Sequence, residues 1–260
     1  MRALKWGLSL SLAGELAQPA VITEVATAAE TAGWDGFFVW DHLWNRTGEP
    51  FADPWVTLAA AATATRRVRI GPLVTPLPRR RPQVVAQQAA TLDRLSNGRL
   101  TLGIGLGHDK YGEYSAFDEP LTDARARATA LDAGLELLTM ALTGDPVASA
   151  GERPTTIACV QRPRCPIWVA GTVPRVAGPR RAARHRLEGI AAVGGDVWTA
   201  GQVTAILAAG GFEPGAIDVA LVGGTHSEAA SLAEAGATWA VPEIMPGTSA
   251  AEALAMASRR

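Results

Sequence analysis

The stretch Ala29-Glu30-Thr31-Ala32-Gly33-Trp34-Asp35-Gly36-Phe37-Phe38-Val39-Trp40-Asp41-His42 sets the plan of the whole chain. Upstream of it, Val21, Ile22, Val25, Ala29 and Ala32 fall on one side of a helix that opens near Pro19. Gly33 stands where helices end in the left-handed conformation that glycine adopts most readily. Residues 36–40 then form a short apolar run, the pattern of a strand buried on both faces. Asp41 and His42 follow directly, so two titratable side chains stand at the C-terminal end of that strand.

The same unit recurs on both sides of this stretch. Before it, Trp6, Leu8, Leu10 and Leu12 alternate with Gly7, Ser9 and Ser11, which predicts a strand over 5–10 rather than the apolar segment of a secretion signal. After it, Asp53-Pro54 opens a second helix, with an N-cap residue followed by proline at the first helical position. Further strands are expected over 68–74, 100–104, 166–170, 189–193, 218–222 and 238–241. The intervening helices run from Pro82 to just before Ser96, over 122–142 and 174–186, and from caps at Thr199, Ser227 and Ser249, the last with the S-x-x-E spacing to Glu252. Eight strand–helix units in 260 residues average about 32 residues each, which fits the ~250 residues of a (β/α)8 barrel, a TIM barrel, in the α/β class. An open doubly wound sheet is the competing architecture, but it rarely needs eight units. No Gly/Ser-rich linker interrupts the chain, so one domain over 1–260 is expected.

Composition narrows the function. A chain that is 48% hydrophobic and 19% charged can bury a large core, which excludes a disordered or disulfide-stapled protein. A net charge of −1 argues against a nucleic-acid partner bound through its phosphates. No apolar run reaches the length of a membrane span, so no membrane partner is expected. Cys159 and Cys165, six apart, read as free thiols of a cytoplasmic protein, with a small-loop disulfide as the alternative.

A barrel of this kind builds its active site at the C-terminal ends of its strands. Those positions hold Ser9 and Ser11, then Asp41, His42 and Trp44, then Val74-Thr75, then Gly103-Ile104-Gly105-Leu106-Gly107-His108. They continue with Gly171-Thr172, Gly194-Gly195-Asp196, Gly223-Gly224-Thr225-His226 and Pro242-Glu243. Three of the four histidines fall on this rim, and His185, on an arginine-rich helix, reads as a surface residue. His42 is the first choice for acid–base work and His108 the second, because an imidazole exchanges protons near neutral pH. Asp41 is expected to orient His42 or to face a bound ring. The glycines at 103, 105 and 107 miss the dinucleotide G-x-G-x-x-G spacing and read as small residues that let a flat ligand or a loop lie close. Gly171-Thr172 precedes a helix N-terminus with Arg175 in its first turn, the make-up of a phosphate site that Val193 and Gly194 on the neighbouring strand can share. Arg79-Arg80-Arg81 reads as a solvated face, with attraction of an anionic tail as the alternative. The long loop 107–121, with Tyr111, Tyr114 and Phe117, is placed to be a mobile lid. The loop 143–165 lies at the opposite end and reads as structural cover, with a small hairpin as one form of it.

At these residues the chain resembles a family. Gly33-Trp34-Asp35-Gly36-Phe37-Phe38-Val39-Trp40-Asp41-His42 resembles the second-strand region of the bacterial luciferase-like flavin oxidoreductases. Similar matches are Ile70-Gly71-Pro72-Leu73-Val74-Thr75-Pro76, Ser96-Asn97-Gly98-Arg99 with Leu102-Gly103-Ile104-Gly105, and Pro166-Ile167-Trp168-Val169-Ala170-Gly171-Thr172. The resemblance implies a (β/α)8 barrel that binds FMN or the deazaflavin coenzyme F420, with a small organic molecule as substrate and a homodimer as the common assembly. It implies a ring held in the mouth near Ser9, Asp41, Leu73, Val74, Thr75 and Gly105, with the phosphate near Gly171, Thr172, Arg175, Val193 and Gly194. It further implies a non-prolyl cis peptide at Leu73–Val74. Deazaflavin-using sugar-phosphate dehydrogenases of the family pair a histidine with an acidic residue. Asp41-His42 matches the first motif, whereas the acidic position is occupied here by His108, so the match does not carry sugar-phosphate activity over. The expected reaction is hydride transfer, or monooxygenation where FMN and O2 are used. A flavin-binding protein without turnover is the alternative, followed by a metal-dependent barrel hydrolase using His42, His108, His226 and Asp41; no tight metal-ligand spacing occurs, and no metal is expected.

Overall fold

The computed structural model describes residues 3–44, 48–121, 123–144 and 157–260. The strands are β1 (Lys5–Leu10), β2 (Gly36–Val39), β3 (Arg69–Pro72), β4 (Thr75–Pro76), β5 (Leu102–Gly105), β6 (Ile167–Thr172), β7 (Gly189–Val193), β8 (Asp218–Val222), β9 (Trp239–Val241) and β10 (Glu243–Ile244). They pair in parallel in the order β3-β2-β1-β9-β8-β7-β6-β5-β4, with β10 continuing along β1. A parallel bridge from Ile70 to Leu100 brings the two ends of this path together. The result is a nearly closed barrel with eight strand positions. The third is β3 and β4, interrupted at residues 73–74, and the eighth is β9 and β10, interrupted at Pro242.

The helices α1 (Pro19–Ala32), α2 (Pro54–Ala64), α3 (Pro82–Leu95), α4 (Ala124–Ala141), α5 (Ala177–Arg184), α6 (Ala200–Gly210), α7 (Ala229–Glu234) and α8 (Ala250–Ala257) lie between and after the strands. Their ends follow local chemistry. Gly33 closes α1 at φ 88° with its N–H on the last carbonyls. Asp53 Oδ1 accepts from the N–H groups of Trp55 and Val56 at 2.9 Å and starts α2. Thr199 with Gln202 and Ser249 with Glu252 form capping boxes on α6 and α8. Three expected boundaries move. Ser227 does not cap α7, whose N-cap is Glu228 with no side-chain bond. α5 starts at Ala177, not Pro174, because a turn over 173–176 intervenes. α4 is capped by Asp123, and the expected start at Thr122 lies outside the described residues.

Alternation along the strands separates two apolar layers. Leu8, Phe37, Ile70, Leu102, Val169, Ile190 and Val219 face the helices and form the larger core. Phe38, Trp168, Trp239, Ala191, Ala220, Val222 and Val241 fill the barrel interior. The three interior aromatics meet at ring-centroid distances of 5.7, 6.0 and 5.4 Å, within the range of favourable edge contacts. They fit because glycine stands opposite. A Cβ on Gly36 would lie 2.6 Å from Phe38, and one on Gly189 would collide with the Trp168 indole.

The N-terminal end of the barrel is sealed by residues 157–165. The Asp93 carboxylate accepts from the backbone N–H of Val160 at 2.7 Å and of Gln161 at 3.1 Å, and from the Gln161 amide at 2.7 Å. This part of the loop is structural cover as expected. The suggested hairpin falls mostly on 145–156, outside the described residues. Cys159 and Cys165 are buried there as free thiols. No described helix is long and apolar enough to cross a membrane.

Candidate active site

β2 delivers Trp40, Asp41 and His42 to the C-terminal rim. Asp41 does not orient His42, which corrects one sequence expectation. Its carboxylate is fully buried and held by arginines. Arg80 donates from Nε and Nη2 to the two oxygens at 2.8 Å each. Arg79 Nη2 donates to Oδ1 at 3.1 Å and to the backbone carbonyl at 2.9 Å. Arg79 and Arg80 are therefore not a solvated face; their side chains are 3% and 18% exposed, and of the run only Arg81 is open to water. Two guanidinium groups on one buried carboxylate make Asp41 a clamp. The same clamp turns these arginines away from an anionic tail.

The group that orients His42 is Glu113, from the loop after β5. Its Oε2 lies 2.9 Å from His42 Nδ1, and its Oε1 accepts from Arg79 Nη1 at 2.9 Å and from the Leu43 N–H at 2.7 Å. Burial works against the charge on Glu113, but the bonds from His42 and Leu43 and the Arg79 charge hold its carboxyl below the usual range. A carboxylate only accepts, so Nδ1 of His42 carries the hydrogen it shares with Glu113, and in the neutral ring Nε2 is then the acceptor nitrogen. The His42 side chain remains 24% exposed. Around it stand Trp40, Phe51, His108 and Tyr111, with centroids 5.9, 6.1, 6.0 and 6.3 Å away. The crowding of the loop around His108, with His42 beside it, lowers its tendency to protonate.

The loop 107–121 is pinned at its centre. Tyr114 is fully buried, its hydroxyl donates to Leu106 O at 3.3 Å, and Arg127 stacks over its ring at 5.0 Å. Asp109 Oδ1 accepts from the N–H groups of Tyr114 and Ser115. Of the three aromatics expected in a lid, Tyr114 is core, Tyr111 faces the two histidines, and Phe117 is exposed.

The third strand position breaks at a cis Leu73–Val74 peptide. Gly103 and Gly105 make room for that break: a Cβ on Gly105 would lie 2.6 Å from Val74 Cγ2, and one on Gly103 would meet Pro72 O. Their smallness serves the neighbouring backbone. Thr75 is fully buried. Ser9 is buried and accepts from the Trp40 indole N–H at 3.1 Å.

Gly171 sits differently from expectation. It points at α5, where an added Cβ would lie 3.3 Å from Gly178 and from Pro179, so it allows a strand and a helix to approach closely and offers no side-chain direction toward the mouth. Thr172, Arg175 and Gly194 are exposed and Val193 is half-buried on the same rim, with Val173 N–H donating to Val193 O at 3.2 Å. His226 leaves the rim; it is buried against Trp6 at 5.9 Å with Nε2 2.9 Å from Leu221 O. His185 is not a surface residue: its side chain is 6% exposed and pairs with Asp132 at 3.1 Å. No group of three or more metal-ligating side chains occurs among the described residues.

Two residues of the mouth were not assigned from the sequence. Glu113 carried one signal, an acidic residue in the long loop after the fourth strand position. Glu243 carried another, the alternation Trp239, Val241, Glu243 into the barrel interior.

The parallel strands with helices between them, closing on themselves through the Ile70–Leu100 bridge, make this chain a (β/α)8 barrel of the TIM type. Residues 7–250 match the family model of luciferase-like monooxygenases, and the chain belongs to that family. It is 46% identical over 105 residues to an F420-dependent glucose-6-phosphate dehydrogenase of Beutenbergia cavernae, covering 38% of this chain and 31% of that one. It is 35% identical over 184 residues to the enzyme of the same name from Gordonia bronchialis, covering 67% and 53%. A 4-hydroxyprotoasukamycin monooxygenase of Streptomyces nodosus subsp. asukaensis is 37% identical over 117 residues, covering 42% and 31%. The chain thus spans about half or less of the length of these relatives. Among solved structures, an F420-dependent secondary alcohol dehydrogenase superposes with a TM-score of 0.73 at 18% identity over the whole of both chains. The F420-dependent tetrahydromethanopterin reductase of Methanopyrus kandleri gives 0.75 at 16% identity over 98% and 97%.

Proposed function

We propose that this chain is an oxidoreductase that binds F420 or FMN in the barrel mouth and acts on a small organic molecule, with His42 as its acid–base group. One observation carries this reading: His42 Nδ1 is fixed by buried Glu113, which leaves Nε2 to exchange a proton in the mouth. Orphaned polar atoms support the presence of a ligand. Ser11 Oγ, Thr75 Oγ1 and Trp44 Nε1 are buried without a hydrogen-bond partner, a state that costs about 1–3 kcal/mol per group unless something completes it. Val74, Thr75 and Gly105 would border the ring, and Thr172, Arg175, Val193 and Gly194 would meet the phosphate. Bound deazaflavin supplies hydride acceptance and donation, and bound FMN adds reaction with O2.

The chain's own part is positional. His42 Nε2 takes the proton of a substrate hydroxyl as the substrate is oxidised, and returns it in the reverse direction. Glu113 accepts from Nδ1–H and stabilises the imidazolium that results. Arg79 holds Glu113, and Arg80 with Asp41 holds Arg79. The buried free cysteines are in keeping with a cytoplasmic setting. The test is to titrate the purified protein with F420 and with FMN, following absorbance and fluorescence. One of them is expected to bind and to be reduced or oxidised in the presence of substrates; binding of neither overturns the reading.

A further inference from the structure

We propose that Glu243, set above Val241 across the tops of β8 and β1, is a further binding residue of the mouth that donates a hydrogen bond to an acceptor atom of the bound cofactor ring or substrate. The proposal rests on the functional reading above and extends it to a site on the opposite side of β2 from the Glu113–His42 pair.

The position follows from register. β9 and β10 carry Trp239, Val241 and Glu243 on one face, and the first two lie in the barrel interior. Glu243 pairs with Ser9 near the C-terminal end of β1. Trp40 closes the third side, its indole N–H donating to Ser9 Oγ at 3.1 Å. At the end of β8, Gly223 has φ +70°, and a Cβ there would collide with Glu243 Oε2. The carboxyl therefore lies across the tops of β8, β1 and β2, and the absence of a side chain at 223 is what leaves it space.

Its surroundings are neutral. β1 offers Ser9 and Ser11, the residue after β2 offers the Trp40 indole, and β8 ends in glycine. Lys5 opens β1 and Asp218 opens β8, at the far, N-terminal end of the barrel; at the C-terminal end of these elements and their extensions the titratable residues are Asp41, His42 and His226. Asp41 is neutralised by Arg79 and Arg80, His42 is paired with Glu113, and His226 is turned to Leu221 O. On the neighbouring β7 extension, Asp196 is exposed. No salt bridge to Glu243 occurs among the described residues. Burial without a cation raises its carboxyl to about 7, with the Trp40 indole opposing. A half-buried acid of this kind, when neutral, has a hydroxyl hydrogen to give, which a carboxylate lacks.

The sign of the linkage follows. A ligand that accepts this hydrogen bond favours the neutral form. Above about pH 7 the free protein must take a proton from solvent on binding, so affinity falls there by up to roughly tenfold per pH unit. Below it, binding is proton-neutral at this site.

The experiment is isothermal titration calorimetry of the full chain with F420 and with FMN near pH 6 and near pH 8, in two buffers of different ionisation enthalpy at each pH. The wild type is expected to take up close to one proton per ligand near pH 8 beyond that taken up by Glu243→Gln. Comparison with this variant cancels the ligand's own ionisations. Glu243→Gln keeps a donor N–H, so its affinity is expected to stay within a few-fold of the wild-type value near pH 6 and to show no fall near pH 8. Equal proton uptake and equal pH dependence in the two proteins overturn the proposal while leaving the cofactor reading intact. Binding of neither cofactor to the wild type overturns both.

Discussion

At the scale of single residues, the candidate site separates into a partly exposed histidine and the charges that fix it. His42 meets the mouth, and Glu113, Arg79, Asp41 and Arg80 form a chain of contacts behind it at 2.8–3.1 Å. His42→Asn is expected to leave cofactor affinity within a few-fold while lowering kcat by roughly 10²-fold or more. Unchanged kcat removes His42 from the chemistry. Glu113→Gln is expected to lower kcat with little change in cofactor affinity, because it disturbs the tautomer and the charge partner of His42 without reaching the ligand. Asp41 behaves differently. Asp41→Asn strips Arg79 and Arg80 of a buried counter-charge and is expected to destabilise the fold by about 3–5 kcal/mol, read as a lowered urea midpoint. A midpoint equal to the wild type together with lost turnover would return Asp41 to a chemical role.

At the scale of elements, the junction of β6 and α5 joins packing to binding. Gly171 and Gly178 let the strand and the helix touch; a Cβ on Gly178 would lie 2.5 Å from Gly171 Cα and 2.9 Å from Ala170 O. Gly178→Ala is therefore expected to cost about 1–3 kcal/mol of stability, as overpacking does. Arg175 is exposed, so Arg175→Ala is expected to leave the melting temperature unchanged and to weaken cofactor binding several-fold, with the loss shrinking at high salt. A Kd unchanged at low salt in Arg175→Ala moves the phosphate away from this rim. The loop 107–121 is also an element with two parts. Its centre is anchored by Tyr114 and Glu113, while Phe117 is exposed, so one part of the loop is held against the rim and another faces solvent.

At the scale of the whole molecule, two carboxyl groups of the mouth, Glu113 buried and Glu243 half-buried, pull stability in opposite directions with pH. Glu113 is held below its ordinary range, so its contribution is present above its unfolded pKa and is lost as pH falls through the lowered folded value. Glu243 is raised from 4.5 to about 7. Its neutral form favours the fold at low pH, and this support is lost as pH rises from about 4.5 to about 7, to the extent of about 3 kcal/mol. Glu243→Gln is accordingly expected to raise the melting temperature near pH 8 and to leave it little changed near pH 5. No gain near pH 8 would show that Glu243 carries its charge without cost.

Much of this molecule was legible in one dimension. The eight strand positions, the caps at Asp53, Thr199 and Ser249, the glycine end of α1 and the rim location of His42 all depend on residues within a few positions of one another, where propensity and periodicity act. The partnership of His42 with Glu113, 71 residues away, depends on a loop folding back over the mouth. So does the sequestration of Asp41 by Arg79 and Arg80, 38 and 39 residues on. A run of three arginines looks solvated in sequence because nothing local names its counter-charges. The close approach of Gly171 to Gly178 is hidden in sequence because it matters only once the helix packs on the strand. Local pattern thus determined the barrel and its rim. The closing of the barrel decided which charges on that rim are neutralised and which are left free to act, because only contacts between distant segments set burial and pairing.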